Sequence, residues 1–227
     1  MIRNSIWKPS VAFASLLGLL AAAVMPGKTL GAEAGREIVI VALGDSLTAG
    51  YQLPPLAAFP VQLEKALRAR GVNVKVINAG NSGDTAADGL ARLDWATPDN
   101  ADAVIMELGA NDALRGNPPA TAMQALDAIM AKLAERKLPV LIAGMEAPRN
   151  WGTDYQASFH RIYPDLAAKY DALLYPFFMD GLVEDRSLRL ADGLHPTPEG
   201  VARIVERILP SVEALIARVE KKRGVPS

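Results

Sequence analysis

A chain of 227 residues, half of them apolar and 22% charged, can bury one sizeable core, which excludes a disordered chain and favours a single domain. Its 24 Lys and Arg are balanced by 25 Asp and Glu, so the basic excess that phosphate contacts need is missing and nucleic acid is not an expected partner. The lack of cysteine excludes disulfides, thiolate metal sites, a cysteine nucleophile and a lipid-modified cysteine.

At the amino end, Arg3 and Lys8 precede an apolar run over 11–24, and small residues follow at Gly31-Ala32-Glu33-Ala34. A charged start, a short apolar run and a small-x-small site form the pattern of a secretory signal peptide, here cleaved after Ala34 or Ala32. The run is shorter than the roughly 20 residues of a bilayer crossing. Residues 1–34 are therefore read as a removable signal and 35–227 as one folded domain without a stable membrane anchor after cleavage. The expected location is the periplasm, with secretion as the alternative; an uncleaved anchor is the rival reading.

From Arg36 onward, short apolar runs alternate with longer amphipathic ones. The run over 38–43 reads as a buried strand, and 61–70 as a helix ending at Gly71. A second strand is expected over 74–77, a helix over 85–93 and a third strand over 103–108. A helix over 119–136, a fourth strand over 139–143 and a helix over 155–170 follow. A short fifth strand over 172–175 and a last helix over 198–220, with Pro198 in its first turn, complete the series. Strands alternating with helices mean βαβ units, a parallel sheet and helices on both faces. Sites in such sheets lie outside the carboxyl ends of the strands, so the polar clusters after strands one to three should converge.

Strand one runs into Gly44-Asp45-Ser46-Leu47-Thr48. A serine there has an exposed hydroxyl but needs a base to become a nucleophile. Alone it reads equally as a helix cap or a turn. The G-x-S-x-G elbow is not met, because position 48 is threonine. Only two histidines exist. His160 lies in an amphipathic helix and reads as structural. His195 sits in Ala191-Asp192-Gly193-Leu194-His195-Pro196, where Asp192 can reach a ring nitrogen, fix the tautomer and stabilise the imidazolium. With no cysteine or third histidine to complete a zinc set, neither metal nor cofactor is expected. Acyl transfer also needs donors for an oxyanion. Strand two ends in Asn78-Ala-Gly80-Asn-Ser82-Gly83-Asp84-Thr85 and strand three in Leu108-Gly109-Ala-Asn111-Asp112, which offer glycine backbone N–H groups and an asparagine amide.

These blocks resemble those of the SGNH (GDSL) hydrolase family: Gly44 to Leu47, Gly80 to Thr85, Gly109 to Asp112 and Asp192 to Pro196. The resemblance implies an α/β fold, a three-layer α/β/α sandwich around a five-stranded parallel sheet of flavodoxin-like topology. It implies Ser46 as nucleophile, with His195 and Asp192 completing the triad. Ser46 N–H, Gly83 N–H and the Asn111 amide would be the oxyanion donors, Gly83 being preferred to Gly80 because it precedes Asp84-Thr85. Ser46-Leu-Thr-Ala-Gly-Tyr51, Leu114-Arg-Gly116 and Tyr175-Pro-Phe-Phe178 point to the bacterial periplasmic thioesterase, lysophospholipase and arylesterase branch. The implied reaction is hydrolysis of carboxylic esters and thioesters through an acyl-serine, on small acyl substrates or lysophospholipid. Leu114 and Arg115 would form a lip over the pocket, and Trp151 and Tyr155 an apolar wall; Arg115 or Arg149 could meet an anionic head group. Two alternatives stay open: an O-acetylesterase acting on carbohydrate or cell-wall polymers, and a non-catalytic flavodoxin-like binding protein. The latter lacks a G-x-x-x-x-G-K-[ST] phosphate loop.

Overall fold

The computed structural model describes Met1 and residues 35–224, so the expected signal segment lies outside the described residues. Five strands, β1 (Ile38–Gly44), β2 (Val74–Gly80), β3 (Ala103–Glu107), β4 (Val140–Ala143) and β5 (Leu173–Tyr175), form one sheet. All pairings are parallel, in the order β2-β1-β3-β4-β5. Strands β1, β3 and β4 are buried along their whole length, as continuous apolar runs require when helices cover both faces. The edge strands β2 and β5 keep partly exposed residues.

The helices are α1 (Ser46–Ala49), α2 (Phe59–Ala69), α3 (Ala86–Ala91), α4 (Leu93–Ala96), α5 (Ala110–Leu114), α6 (Pro119–Glu135), α7 (Thr153–His160), α8 (Ile162–Tyr170) and α9 (Pro198–Arg223). Helices α2 and α9 pack together in one layer, while α6 packs against α3 and α8 in the other. The expected three-layer α/β/α sandwich is the observed one. None of the described helices is long and apolar enough to cross a membrane.

The boundaries differ from expectation where local chemistry intervenes. The stretch 155–170 is two helices broken at Arg161, because Pro164 has no N–H for the His160 carbonyl and its ring crowds that oxygen. The stretch 85–93 is also divided. Thr85 caps α3 in a reciprocal capping box with Asp88, and the chain breaks at Arg92, whose side chain turns inward. Helix α9 continues to Arg223 and stops at Gly224, which has a left-handed φ of 75°. Strand β2 runs on through Asn78-Ala-Gly80 because its backbone pairs with β1 all the way to Gly44.

The strand order places a topological switch between β1 and β3, whose following connections leave to opposite sides. In open α/β sheets ligand sites lie at such a switch, outside the carboxyl ends of the strands. Ser46 follows β1 and Asn111 follows β3, so both stand at this end of the sheet.

Candidate active site

The serine is presented by a short turn. Asp45 caps α1, its Oδ1 accepting from Leu47 N–H at 3.0 Å, and this fixes Ser46 as the first helical residue after β1. Ser46 Oγ lies 2.8 Å from His195 Nε2, and His195 Nδ1 lies 2.7 Å from Asp192 Oδ2. With the ring proton on Nδ1, the imidazole donates to Asp192 and leaves Nε2 to accept the Ser46 hydroxyl. The second carboxylate oxygen of Asp192 accepts from Leu194 N–H at 2.8 Å and His195 N–H at 3.1 Å. Partial burial raises the Asp192 pKa, but those backbone bonds and the His195 ring outweigh it and hold the group down at about 2. The loop is braced by Arg186, which donates to the Leu190 and Ala191 carbonyls at 2.6 and 2.8 Å. The Tyr51 ring leans on the His195 imidazole, centroids 4.5 Å apart.

Two backbone donors near the ends of β1 and β2, Ser46 N–H and Gly83 N–H, have no acceptor among the described residues. Gly83 holds a left-handed φ of 91°, which a residue with a side chain rarely adopts. Gly80, its rival in the same block, is otherwise employed. Its N–H donates to Asn78 Oδ1 at 3.0 Å, and a Cβ there would lie 2.3 Å from the Ala49 nitrogen. Gly80 lets β2 pass close beneath α1. The Asn111 amide donates to Asp45 Oδ2 at 3.0 Å and to the Asp84 carbonyl at 2.9 Å, so both of its hydrogens are engaged in the free protein.

Beneath these groups lies a buried ionic layer. Arg92 pairs with Asp84 at 2.5 Å and also donates to the Ala79 and Gly44 carbonyls, each at 2.8 Å. It thereby ties the ends of β1 and β2 to the turn that carries Gly83. Asp112 Oδ2 accepts from Ala86 N–H at 2.8 Å, joining the start of α5 to that of α3. Burial pushes the Asp45 carboxyl up to about 6, against the pull of Leu47 N–H and His195. Burial, and then the Asp45 carboxyl, push Glu107 well above the usual carboxylate range. Sequence reasoning missed Arg92 and Glu107, and it met Tyr51 only as the end of the Ser46-Leu-Thr-Ala-Gly-Tyr51 block, not as a neighbour of His195. Glu107 had a signal, an acid inside the apolar run Ala103-Val-Ile-Met-Glu-Leu108.

Of the expected pocket residues, Arg115 reaches Gly83, while Trp151 and Tyr155 pack against the 116–117 segment that follows it. Arg115 donates to the Gly83 carbonyl at 2.9 Å. Tyr155 Oη donates to the Asn117 carbonyl at 2.7 Å, and its ring stands 6.1 Å from that of Trp151. Gly116 abuts Trp151 so closely that a Cβ would lie 2.6 Å from the indole. Leu114 and Trp151 stay about two-fifths exposed, at 43% and 42%. His160 is exposed at the end of α7 and has no part in these contacts. Among the described residues no group of three His, Cys, Asp or Glu could hold a metal ion.

A hydroxyl, an imidazole and a carboxylate joined in one hydrogen-bonded series, beside backbone donors at the edge of a parallel sheet, make the arrangement of an α/β serine hydrolase. The chain belongs to the GDSL-like lipase/acylhydrolase family, whose model matches residues 42–203. An arylesterase of Vibrio mimicus is 39% identical over 181 residues, 78% of this chain and 89% of that protein. The thioesterase 1/protease 1/lysophospholipase L1 of Escherichia coli is 34% identical over 189 residues, 83% of this chain and 88% of the relative. Among solved structures, the SGNH-hydrolase family esterase AlinE4 is 46% identical with a TM-score of 0.68, over 79% of this chain and 97% of its own.

Proposed function

We propose that Ser46 is the acylated nucleophile, His195 its general base and Asp192 the carboxylate that orients the imidazole and stabilises its protonated form. The protein is an ester-hydrolysing enzyme of the serine type, acting on carboxylic esters and thioesters. His195 Nε2 takes the Ser46 proton as Oγ bonds to the substrate's carbonyl carbon, and the tetrahedral oxyanion collapses. The C–O or C–S bond then breaks, the leaving group receives that proton, and an acyl-serine remains. Water, deprotonated by the same imidazole, attacks the acyl carbon; the acid leaves and Ser46 recovers its hydrogen.

Ser46 N–H and Gly83 N–H serve the oxyanion directly. Asn111 serves it by sharing or releasing one of its two present bonds. One such donor is worth about 3 kcal/mol of barrier, a hundredfold or more in rate. Trp151 and Tyr155 form the apolar wall for an acyl or aryl group, with Leu114 in the lip above it. Arg115 steadies the Gly83 carbonyl and so contributes through the oxyanion turn. The names of the Vibrio and Escherichia relatives support aryl ester, acyl thioester and lysophospholipid substrates. The pattern of residues 1–34 supports export and a periplasmic mature domain over 35–227.

The observation that carries the reading is the unbroken series from Ser46 Oγ through His195 to Asp192, at 2.8 and 2.7 Å. Ser46→Ala is expected to lose p-nitrophenyl ester hydrolysis by at least about 10³-fold while keeping the wild-type circular dichroism spectrum. Turnover near the wild-type rate by that variant would sink the mechanism.

A further inference from the structure

Glu107 ends β3 in register with Gly44, the last residue of β1, and is fully buried there. Its Oε2 accepts from the Thr48 hydroxyl at 2.7 Å and from Asp45 N–H at 3.3 Å. Asp45 and Thr48 lie on either side of Ser46, so one carboxyl group grips the nucleophile turn both before and after the reacting residue. Gly44 makes this possible: a Cβ there would stand 2.1 Å from Thr48 Oγ1 and 2.6 Å from Glu107 Oε2.

The surroundings decide the form in which this carboxyl is held. Arg92, the nearby buried cation, is fully engaged by Asp84 and the Ala79 and Gly44 carbonyls and donates nothing to Glu107. The Asp45 carboxyl is close enough to repel a second negative charge. The remaining oxygen, Oε1, is buried with no hydrogen-bond partner among the described residues. A buried anion with no cation and one bare oxygen is far costlier than a neutral acid in the same place. Glu107 is therefore carried as the neutral acid.

We infer that Glu107 is a positioning residue of the hydrolase, acting through Thr48 and the Asp45 amide to hold the Ser46 hydroxyl on the His195 imidazole. It touches neither substrate nor reacting atoms. The inference rests on Ser46 being the nucleophile. A carboxyl that merely filled space would change stability and leave the rate alone. A positioning group changes kcat and leaves KM nearly unmoved, because the acyl chain is bound elsewhere.

The test uses the full chain with p-nitrophenyl butyrate, comparing Thr48→Val, Thr48→Ser, Glu107→Gln and Glu107→Ala. Thr48→Val removes only the hydroxyl and is expected to lower kcat about tenfold or more, with KM within about twofold. Thr48→Ser restores the hydroxyl and should return kcat to within about threefold of wild type. Glu107→Gln keeps an oxygen for both donors and should do the same; Glu107→Ala should behave like Thr48→Val. If Glu107→Ala does not fold, the Thr48 pair decides. A folded Thr48→Val with wild-type kcat, or a Thr48→Ser that fails to recover it, overturns the inference. Ser46→Ala, measured alongside, separates the two readings. Wild-type turnover by Ser46→Ala sinks the nucleophile itself, whereas a dead Ser46→Ala beside an unchanged Thr48→Val sinks Glu107 alone.

Discussion

Asp45 and Glu107 place two buried carboxyl groups within hydrogen-bonding distance of one short helical turn, and their charge states make stability depend on pH. Folding raises the Glu107 pKa from 4.5 to well above the usual range, chiefly through burial. A group raised on folding contributes stability that is fully present below the unfolded value and is lost as pH rises through the folded one. The wild-type protein should therefore lose stability, relative to Glu107→Gln, as pH rises from 5 toward 9. Thermal unfolding of both proteins across that range checks this. A difference in Tm that stays constant would contradict a neutral Glu107. Asp192 shifts the other way, down to about 2, so its contribution exists above 3.8 and fades as pH falls toward 2. About a third of the Asp192 side chain remains exposed, at 34%, so that carboxylate is screened, and its weight lies in aiming His195 and little in stability.

At the scale of the element, the start of α9 does two jobs. Thr197 caps the helix, its Oγ1 accepting from Gly200 N–H at 3.2 Å, while its own N–H donates to the Leu188 carbonyl at 2.9 Å. The Asp192–His195 loop is strung between those two anchors, with Arg189 bridged to Pro196. Gly200 allows the close approach: a Cβ there would stand 2.2 Å from the Leu188 oxygen. Gly200→Ala should thus cost about 1–3 kcal/mol, lowering Tm by several degrees, and should also lower kcat because the loop moves with the helix. Wild-type Tm and kcat would show that the helix start does not hold the loop. Strands β1, β3 and β4 were legible in the sequence because full burial leaves unbroken apolar runs. The break at Arg161 was hidden by an amphipathic period that continues across Pro164. The extension of β2 through Asn78-Ala-Gly80 was hidden because ladder bonds are made by backbone, which side-chain polarity does not report.

At the scale of the whole molecule, a parallel sheet gathers its strand ends, so three motifs far apart in sequence meet at one edge. That geometry is why Ser46, Asp192, His195 and the glycine and asparagine blocks could be picked out beforehand as one constellation. Arg92 could not, since its role depends on reaching back across β2 to Gly44 and Ala79. The double engagement of Asn111 was equally out of sight. The proposed export and cleavage predict that the intact mass of the protein, isolated from a periplasmic fraction, corresponds to a first residue of 35 or 33. A mass that includes Met1 would contradict cleavage. The central claim is that the His195 imidazole, held by Asp192, activates Ser46. Its most direct measurement is the rate and site of labelling by a fluorophosphonate, read by peptide mass spectrometry in wild type and His195→Gln. The account predicts phosphonylation confined to Ser46 and slowed by at least about 10³-fold in the variant. Labelling at another residue, or at Ser46 with equal speed in both proteins, would contradict it.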